Sequence, residues 1–203
     1  MTDGPGRSDP KRPGAVRGRG SAGTASIEGI VPSISVILMG VTGSGKSTVL
    51  PRLAERMNAA SAEGDTFHSA ANVEKMRAGI PLADDDRGPW LRSIADWIGA
   101  REREGADAVV TCSALRRNYR DALRVGHPSV RFVHLQVPAE TLERRVTVRT
   151  GHYMPASLLT SQLETLEPLS GDEPGFAIEA DRSPAELADE IARRLGRRSG
   201  GRV

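Results

Sequence analysis

One cysteine in 203 residues excludes an internal disulfide and any zinc site built on cysteines, and it fits a reducing cytoplasm. Cys112, in the run AVVTCSAL, reads as a small buried hydrophobe. No stretch approaches the ~18 apolar residues of a membrane helix. The opening MTDGPGRSDPKRPGAVRGRG also lacks the apolar core of a signal peptide, so a cytoplasmic protein with no membrane span is expected. A basic body is missing as well. The formal net charge is +2, yet residues 1–32 hold five basic and three acidic side chains, and residues 193–203 hold five Arg and no acid. That leaves 18 basic against 23 acidic side chains from Ser33 to Ala192. A groove that displaces phosphate counterions needs Lys and Arg clustered on the domain itself, so no nucleic-acid partner is expected. No internal repeat of solenoid length is present.

The length suits one domain of ordinary size, about 150 residues, with extensions. Residues 1–32 are rich in Gly, Pro, Ser and Arg without periodicity and read as a disordered basic extension, residues 33–196 as the folded domain, and residues 197–203 as an Arg/Gly-rich tail. The run ISVILMG, from Ile34, ends in Gly and predicts a strand buried on both faces. AVVTCS (108–113), VRFVHLQV (130–137) and, more weakly, FAIEAD (176–181) repeat the pattern. Helical spacing lies between them: Leu91, Ile94, Ala95 and Ile98 recur at i, i+3, i+4, i+7. A last helix opens at Ser183 as N-cap, with Pro184 in its first position and Glu186 closing a capping box. Strands alternating with helices predict an α/β fold, a parallel sheet with helices on both faces.

Directly after the first strand comes GVTGSGKS: Gly40, Val41, Thr42, Gly43, Ser44, Gly45, Lys46 and Ser47, with Thr48 opening a helical stretch. This is the phosphate loop, G-x-x-x-x-G-K-[ST]. Its glycines permit positive φ and close backbone approach, so N–H groups ring phosphate oxygens where a helix dipole also favours negative charge. Lys46 is placed to reach the β and γ phosphates and the Ser47 hydroxyl to ligate Mg²⁺. Only three lysines stand against 25 arginines, which makes one at this position the more telling. Pro51, about a turn and a half into the helix, is expected to kink it. The motif leaves kinase, switch and motor open. AVVTCS ends without the metal-supporting acid that a switch or motor offers, and there is no guanine-reading N-K-x-D run.

Glu63 to His68 form EGDTFH, after a weak strand. Asp65, at a strand's carboxyl end beside the phosphate loop, is a candidate proton acceptor for an alcohol or holder of metal-bound water. In the following ADDDRGPWL, Asp86 is expected to cap a helix from Arg87 onward, with Asp84 and Asp85 solvated. CSALRRNYRDALR puts Arg116, Arg120 and Arg124 on one helix face at i, i+4, i+8. The Arg120 fork suits a substrate carboxylate; an ion pair holding its own helix is the alternative. LERRVTVRTGHYMP carries Arg145 and Arg149 at i, i+4 before Gly151, as in a mobile lid that closes over a triphosphate and neutralises transferring charge.

GVTGSGKS, EGDTFH with NVEKMRAGIPLADDDRGPWL, CSALRRNYRDALR and RTGHYMPASLLTSQLETLEP, in this order and spacing, resemble the gluconate kinases of the phosphate-loop type over about residues 34–195. The resemblance implies a three-layer, shikimate-kinase-like fold with a five-stranded parallel sheet and a mobile lid. It also implies ATP, Mg²⁺, transfer to the 6-hydroxyl of D-gluconate, and a homodimer. The family's nucleotide loop maps to Gly40–Ser47, its strand-end acid to Asp65 and its lid arginine to Arg149, with Arg145 on the nucleotide side. Asp65, His68, Lys75, Arg87, Arg120 and His152 come from the same blocks as groups for an open-chain polyol carrying one carboxylate. Ser69, Leu163 and Pro51 depart from the family pattern. Another small-molecule kinase of this fold, such as a shikimate kinase, and a nucleotide-binding regulator without transfer activity are the rival readings.

Overall fold

The structure is a computed structural model that describes Met1, residues 32–148 and residues 156–197. Residues 2–31 of the extension, the tail from residue 198, Arg149 and His152 lie outside the described residues. The sheet has five strands: β1 (Ser35–Met39), β2 (Ala60–Ala62), β3 (Ala108–Thr111), β4 (Val130–Gln136) and β5 (Gly175–Glu179). Their order is β2-β3-β1-β4-β5 and every pairing is parallel, with Ser35 opposite Ala108 on one side and Val130 on the other. This is the α/β architecture that the alternation of runs and helices implies.

Parallel pairing requires crossovers, and helices supply them. After β1 comes α1 (Lys46–Met57); after β2 a 3₁₀ turn (Gly64–Phe67), α2 (Ala70–Arg77) and α3 (Asp84–Arg103); after β3, α4 (Arg117–Arg124). After β4 come α5 (Ala139–Val148) and α6 (Ala156–Thr165), and α7 (Pro184–Arg194) follows β5. The strands' period of two distributes their side chains between two cores. Val36, Leu38, Val109, Val133 and Leu135 pack with Leu50, Leu53 and Ile191 of α1 and α7. Ile37, Met39, Val110 and Phe132 pack with Trp90, Leu91, Ile94, Ile98 and Leu123 of α3 and α4. Burial on both faces is why these strands read as continuous apolar runs. Each fully buried Leu, Ile or Phe contributes about 1.5–3 kcal/mol. Val41, Leu115, Leu142 and Leu159 form a third cluster beneath the phosphate loop, α5 and α6.

The cap of α7 is as its sequence implies: Ser183 Oγ accepts the Glu186 amide at 3.3 Å and Glu186 Oε2 accepts the Ser183 amide at 3.0 Å. At α3 the expectation needs correcting. The helix begins at Asp84, with Ala83 as N-cap, and Asp86 sits in its first turn, accepting the Ala83 amide at 3.0 Å. Three carboxylates at a helix N-terminus lie in the favourable field of the dipole, so the helix starts at the first of them rather than after the last. Pro51 lies inside α1 on its exposed side, and the helix runs on to Met57. Among the described residues no helix is long and apolar enough to cross a membrane.

Candidate active site

The phosphate loop joins β1 to α1 at the carboxyl edge of the sheet. Gly40, Gly43 and Gly45 have φ of 138°, 77° and 96°, values that a side chain disfavours. Gly40 is also closed in by space: a Cβ there would stand 3.0 Å from both the Leu135 carbonyl and Ser44 Oγ. Gly45 caps α1 with no side chain, and the first turn carries no acid, so the positive end of this helix is open to an anion. Lys46 Nζ donates to the carbonyls of Gly40 at 2.8 Å and Val41 at 2.9 Å. Thr42 gives its amide to Gln162 Oε1 of α6 at 2.7 Å, which ties the loop to that helix. Arg145 of α5 donates to the carbonyls of Gly43 at 3.4 Å and Ala180, beyond β5, at 3.2 Å, so it spans one side of the loop. Thr48 and Pro51, with Ser183, Pro184 and Ala185, line a hollow of about 490 Å³ between the starts of α1 and α7.

Beside the loop, Glu63 accepts from Ser47 Oγ at 3.2 Å and from Thr111 Oγ1 at 2.6 Å, and Thr111 Oγ1 accepts the Gly64 amide at 3.0 Å. The ends of β2 and β3 are thereby fastened to the first turn of α1. No acid ends β3, as the sequence indicates; the hydroxyl there instead steadies an acid from the end of β2. Local sequence gives Glu63, within EGDTFH, no evident role. Its proximity to Ser47 is a tertiary contact, and so is that of Thr111. Trp90 Nε1 donates to the Gly64 carbonyl at 2.7 Å and fixes the same turn from below. A Cβ on Gly64 would lie 1.9 Å from the Thr111 carbonyl oxygen. Gly64→Ala is therefore expected to push β2 off β3, costing about 1–3 kcal/mol and displacing both Glu63 and Asp65. A melt and a turnover assay on this one variant check it, and wild-type values in both would refute the tight approach.

Asp65 lies in the turn after Gly64, and both it and Lys46 act electrostatically on Cys112. Burial pushes the Cys112 thiol up to about 12, so it is an inert space-filler, as its run implies. The His68 ring stacks on Trp90 with centroids 4.4 Å apart and planes at 12°. Burial lowers its pKa, Asp65 works against that and Arg87 adds to it, so His68 is neutral at pH 7. Its Nδ1 is buried with no hydrogen-bond partner among the described residues. Lys75 pairs with Asp86 at 2.7 Å, bracing α2 on α3. Arg87 meets Tyr119 Oη at 3.0 Å.

Arg120 is a correction. It is fully buried, and its Nε and Nη2 grip both oxygens of Glu173, at 2.6 and 2.9 Å. Nη1 donates to the carbonyls of Ala114, Leu115 and Glu167, and Nη2 also to that of Pro168. All three nitrogens are engaged, so the fork has nothing left for a substrate carboxylate. The ion-pair alternative is the one observed.

A family model described as an AAA domain matches residues 36–169. The gluconokinase of Gluconobacter oxydans is 45% identical over 158 residues, 78% of this chain and 89% of that protein. This chain belongs to the gluconokinase family. The thermoresistant gluconokinase of Escherichia coli is 40% identical over 150 residues, 74% of this chain and 86% of that protein. The crystal structure of a gluconokinase from Sinorhizobium meliloti superposes with a TM-score of 0.72 at 44% identity, covering 80% of this chain and 91% of that one. The gluconokinase family supplies the kinase activity that the phosphate loop alone left open.

Proposed function

We propose that the protein transfers the γ-phosphoryl group of ATP to the 6-hydroxyl of D-gluconate in the cytoplasm, with the Mg²⁺ and homodimer that the family resemblance implies. The observation that carries this reading is the joining of the acceptor-side block EGDTFH to the phosphate loop through Glu63 and Ser47. Donor and acceptor groups then share one edge of one sheet. Lys46, the N-terminus of α1 and Arg149 offset charge on the transferring group, while Arg145 holds the nucleotide side. Asp65 orients the 6-hydroxyl and takes its proton. The unpartnered Nδ1 of neutral His68 offers a hydrogen bond to a polyol hydroxyl, and His152 serves the same acceptor.

Among the described residues no three of His, Cys, Asp and Glu converge on a metal. A hydroxyl and one carboxylate, Ser47 and Glu63, suit Mg²⁺, which takes most of its oxygens from water and substrate phosphates. Held by Ser47 and Glu63, Mg²⁺ would supply positive charge against the triphosphate. Phosphoryl transfer is mostly positioning and electrostatics, so these residues need only hold the reactants in line. Purified protein given ATP with gluconate, shikimate or nucleoside monophosphates is expected to make ADP with gluconate alone, yielding 6-phosphogluconate. Turnover of shikimate or a nucleotide instead would assign a different kinase, and ATP binding without any transfer would leave a regulator.

A further inference from the structure

Two arginines on the acceptor side use their donors differently from Arg120. Among the described residues, the side chains of Arg87, in the first turn of α3, and Arg116, just before α4, each hydrogen-bond through one guanidinium nitrogen, Nη1. Both meet the same carboxylate: Arg87 reaches Asp84 Oδ1 at 3.4 Å and Arg116 reaches Asp84 Oδ2 at 3.3 Å. Tyr119 Oη donates to Asp84 Oδ1 at 2.5 Å. The Tyr119 ring centroid lies 5.5 Å from the Arg87 guanidinium and 5.8 Å from that of Arg116, within cation–π range of both. Side-chain exposures of 30% for Arg87, 41% for Arg116 and 56% for Asp84 leave the cluster open to solvent. It borders the acceptor residues: Trp90, one turn along α3 from Arg87, stacks on His68 with centroids 4.4 Å apart, and Arg87 acts electrostatically on the same ring.

The two Asp84 contacts are long for charge-assisted bonds, which settle at about 2.7–2.9 Å. An arginine pair that is partly exposed, and whose two contacts to the one carboxylate bridging it are both long, is a site in which one carboxylate can replace another, while the shorter bond from Tyr119 Oη keeps Asp84 close by. We propose that Arg87 and Arg116 form the grip for the carboxylate of a sugar-acid acceptor, and that Asp84 fills this grip until the acceptor displaces it. This rests on the reading of the protein as a gluconate kinase. Asp84 then falls back on water and on the α3 N-terminus, where its charge stays favourable. The exchange gives selectivity: an anionic acceptor replaces one carboxylate by another, whereas a neutral polyol would leave two guanidiniums without a counter-charge. It also lowers apparent affinity in proportion to the fraction of molecules with the grip filled.

The test uses Asp84→Asn and Arg116→Gln in the full chain, with steady-state kinetics on gluconate and on D-glucitol, its neutral analogue, and a melting temperature for each variant. Arg116→Gln is expected to raise the KM for gluconate tenfold or more, to leave the KM for ATP unchanged and to shrink the preference for gluconate over glucitol. Asp84→Asn is expected to lower the KM for gluconate severalfold, since the internal competitor is gone. A cluster that merely staples α3 to α4 predicts lower melting temperatures with no fall in that KM. An unchanged or raised gluconate KM in Asp84→Asn, or an unchanged one in Arg116→Gln, overturns the proposal; if one variant fails to fold, the other decides alone. Wild-type protein that transfers nothing to gluconate overturns the functional reading as well, whereas an active wild type with unresponsive variants overturns the grip alone.

Discussion

Lys46→Ala is expected to leave a folded protein whose phosphoryl transfer is reduced a hundredfold or more. The argument has two halves. The fold is carried elsewhere: Lys46 Nζ donates to the loop carbonyls of Gly40 and Val41, while the loop's course is set by three glycines at positive φ and by β1 and α1, whose Val36, Leu38, Leu50 and Leu53 are buried together. The chemistry does depend on it. Charge shifts between the β and γ phosphates as the group transfers, and a fixed cation at that point stabilises the transition state more than the ground state. Losing such a contact costs on the order of 3 kcal/mol or more, which is the hundredfold. Lys46→Arg keeps the charge but replaces a compact ammonium by a broad planar fork in a loop closed by tight glycines, so it should be nearly as inactive. Turnover at saturating ATP, with a melt to show folding, decides the matter. Near-normal rates in folded Lys46→Ala would remove the phosphate loop from the chemistry.

Much of this architecture is visible in local sequence because it is locally encoded. ISVILM and VRFVHLQ alternate between two buried faces, so each reads as an apolar run, and the start of α7 is written out by Ser183, Pro184 and Glu186. The phosphate loop is legible for the same reason, since eight consecutive residues make it. Features that depend on distant partners were not legible. The spacing of Arg116, Arg120 and Arg124 shows a shared helix face but not whether it faces the cleft or the interior; Glu173, 53 residues further on, decides that for Arg120. Glu63 looks like an acid beside a strand until Thr111, 48 residues away, fixes it next to Ser47. The hydrogen bond from Thr42 to Gln162 crosses 120 residues and leaves no local signal. The start of α3 is ambiguous in local sequence because three consecutive aspartates satisfy a cap at more than one position.

Glu173→Gln is expected to be among the most destabilising single changes available in this fold. Glu173 and Arg120 have fully buried side chains, and their two parallel bonds, with the Ser170 amide on Glu173 Oε2 at 2.9 Å, close the segment after α6 onto the start of α4. Removing one partner strands the other charge in the interior, which typically costs 3–5 kcal/mol. That is a large part of a total stability of about 5–15 kcal/mol, and it should lower the melting temperature by roughly 10 °C. The sign with pH follows from Glu173 itself. Burial pushes its carboxyl upward, but the hydrogen bonds from Arg120 and the Ser170 amide outweigh that and hold it below its ordinary value of 4.5. A group whose pKa falls on folding stabilises fully above the unfolded value and loses that contribution as pH drops through the folded one. Wild-type protein should therefore lose stability below about pH 4.5 more steeply than Glu173→Gln, in which this group no longer titrates. Arg120→Lys should also melt early, because one ammonium cannot replace bonds to both Glu173 oxygens and four carbonyls, yet its KM for gluconate should stay unchanged. The paired change Arg120→Met with Glu173→Leu removes both charges together and should recover much of what either single change loses, as buried ion pairs replaced by apolar groups of similar volume commonly do. Denaturant melts of wild type and these three variants between pH 3 and 7 test the account. A Glu173→Gln protein within about 1 kcal/mol of wild type at pH 7 would mean that the pair is not what holds these segments together.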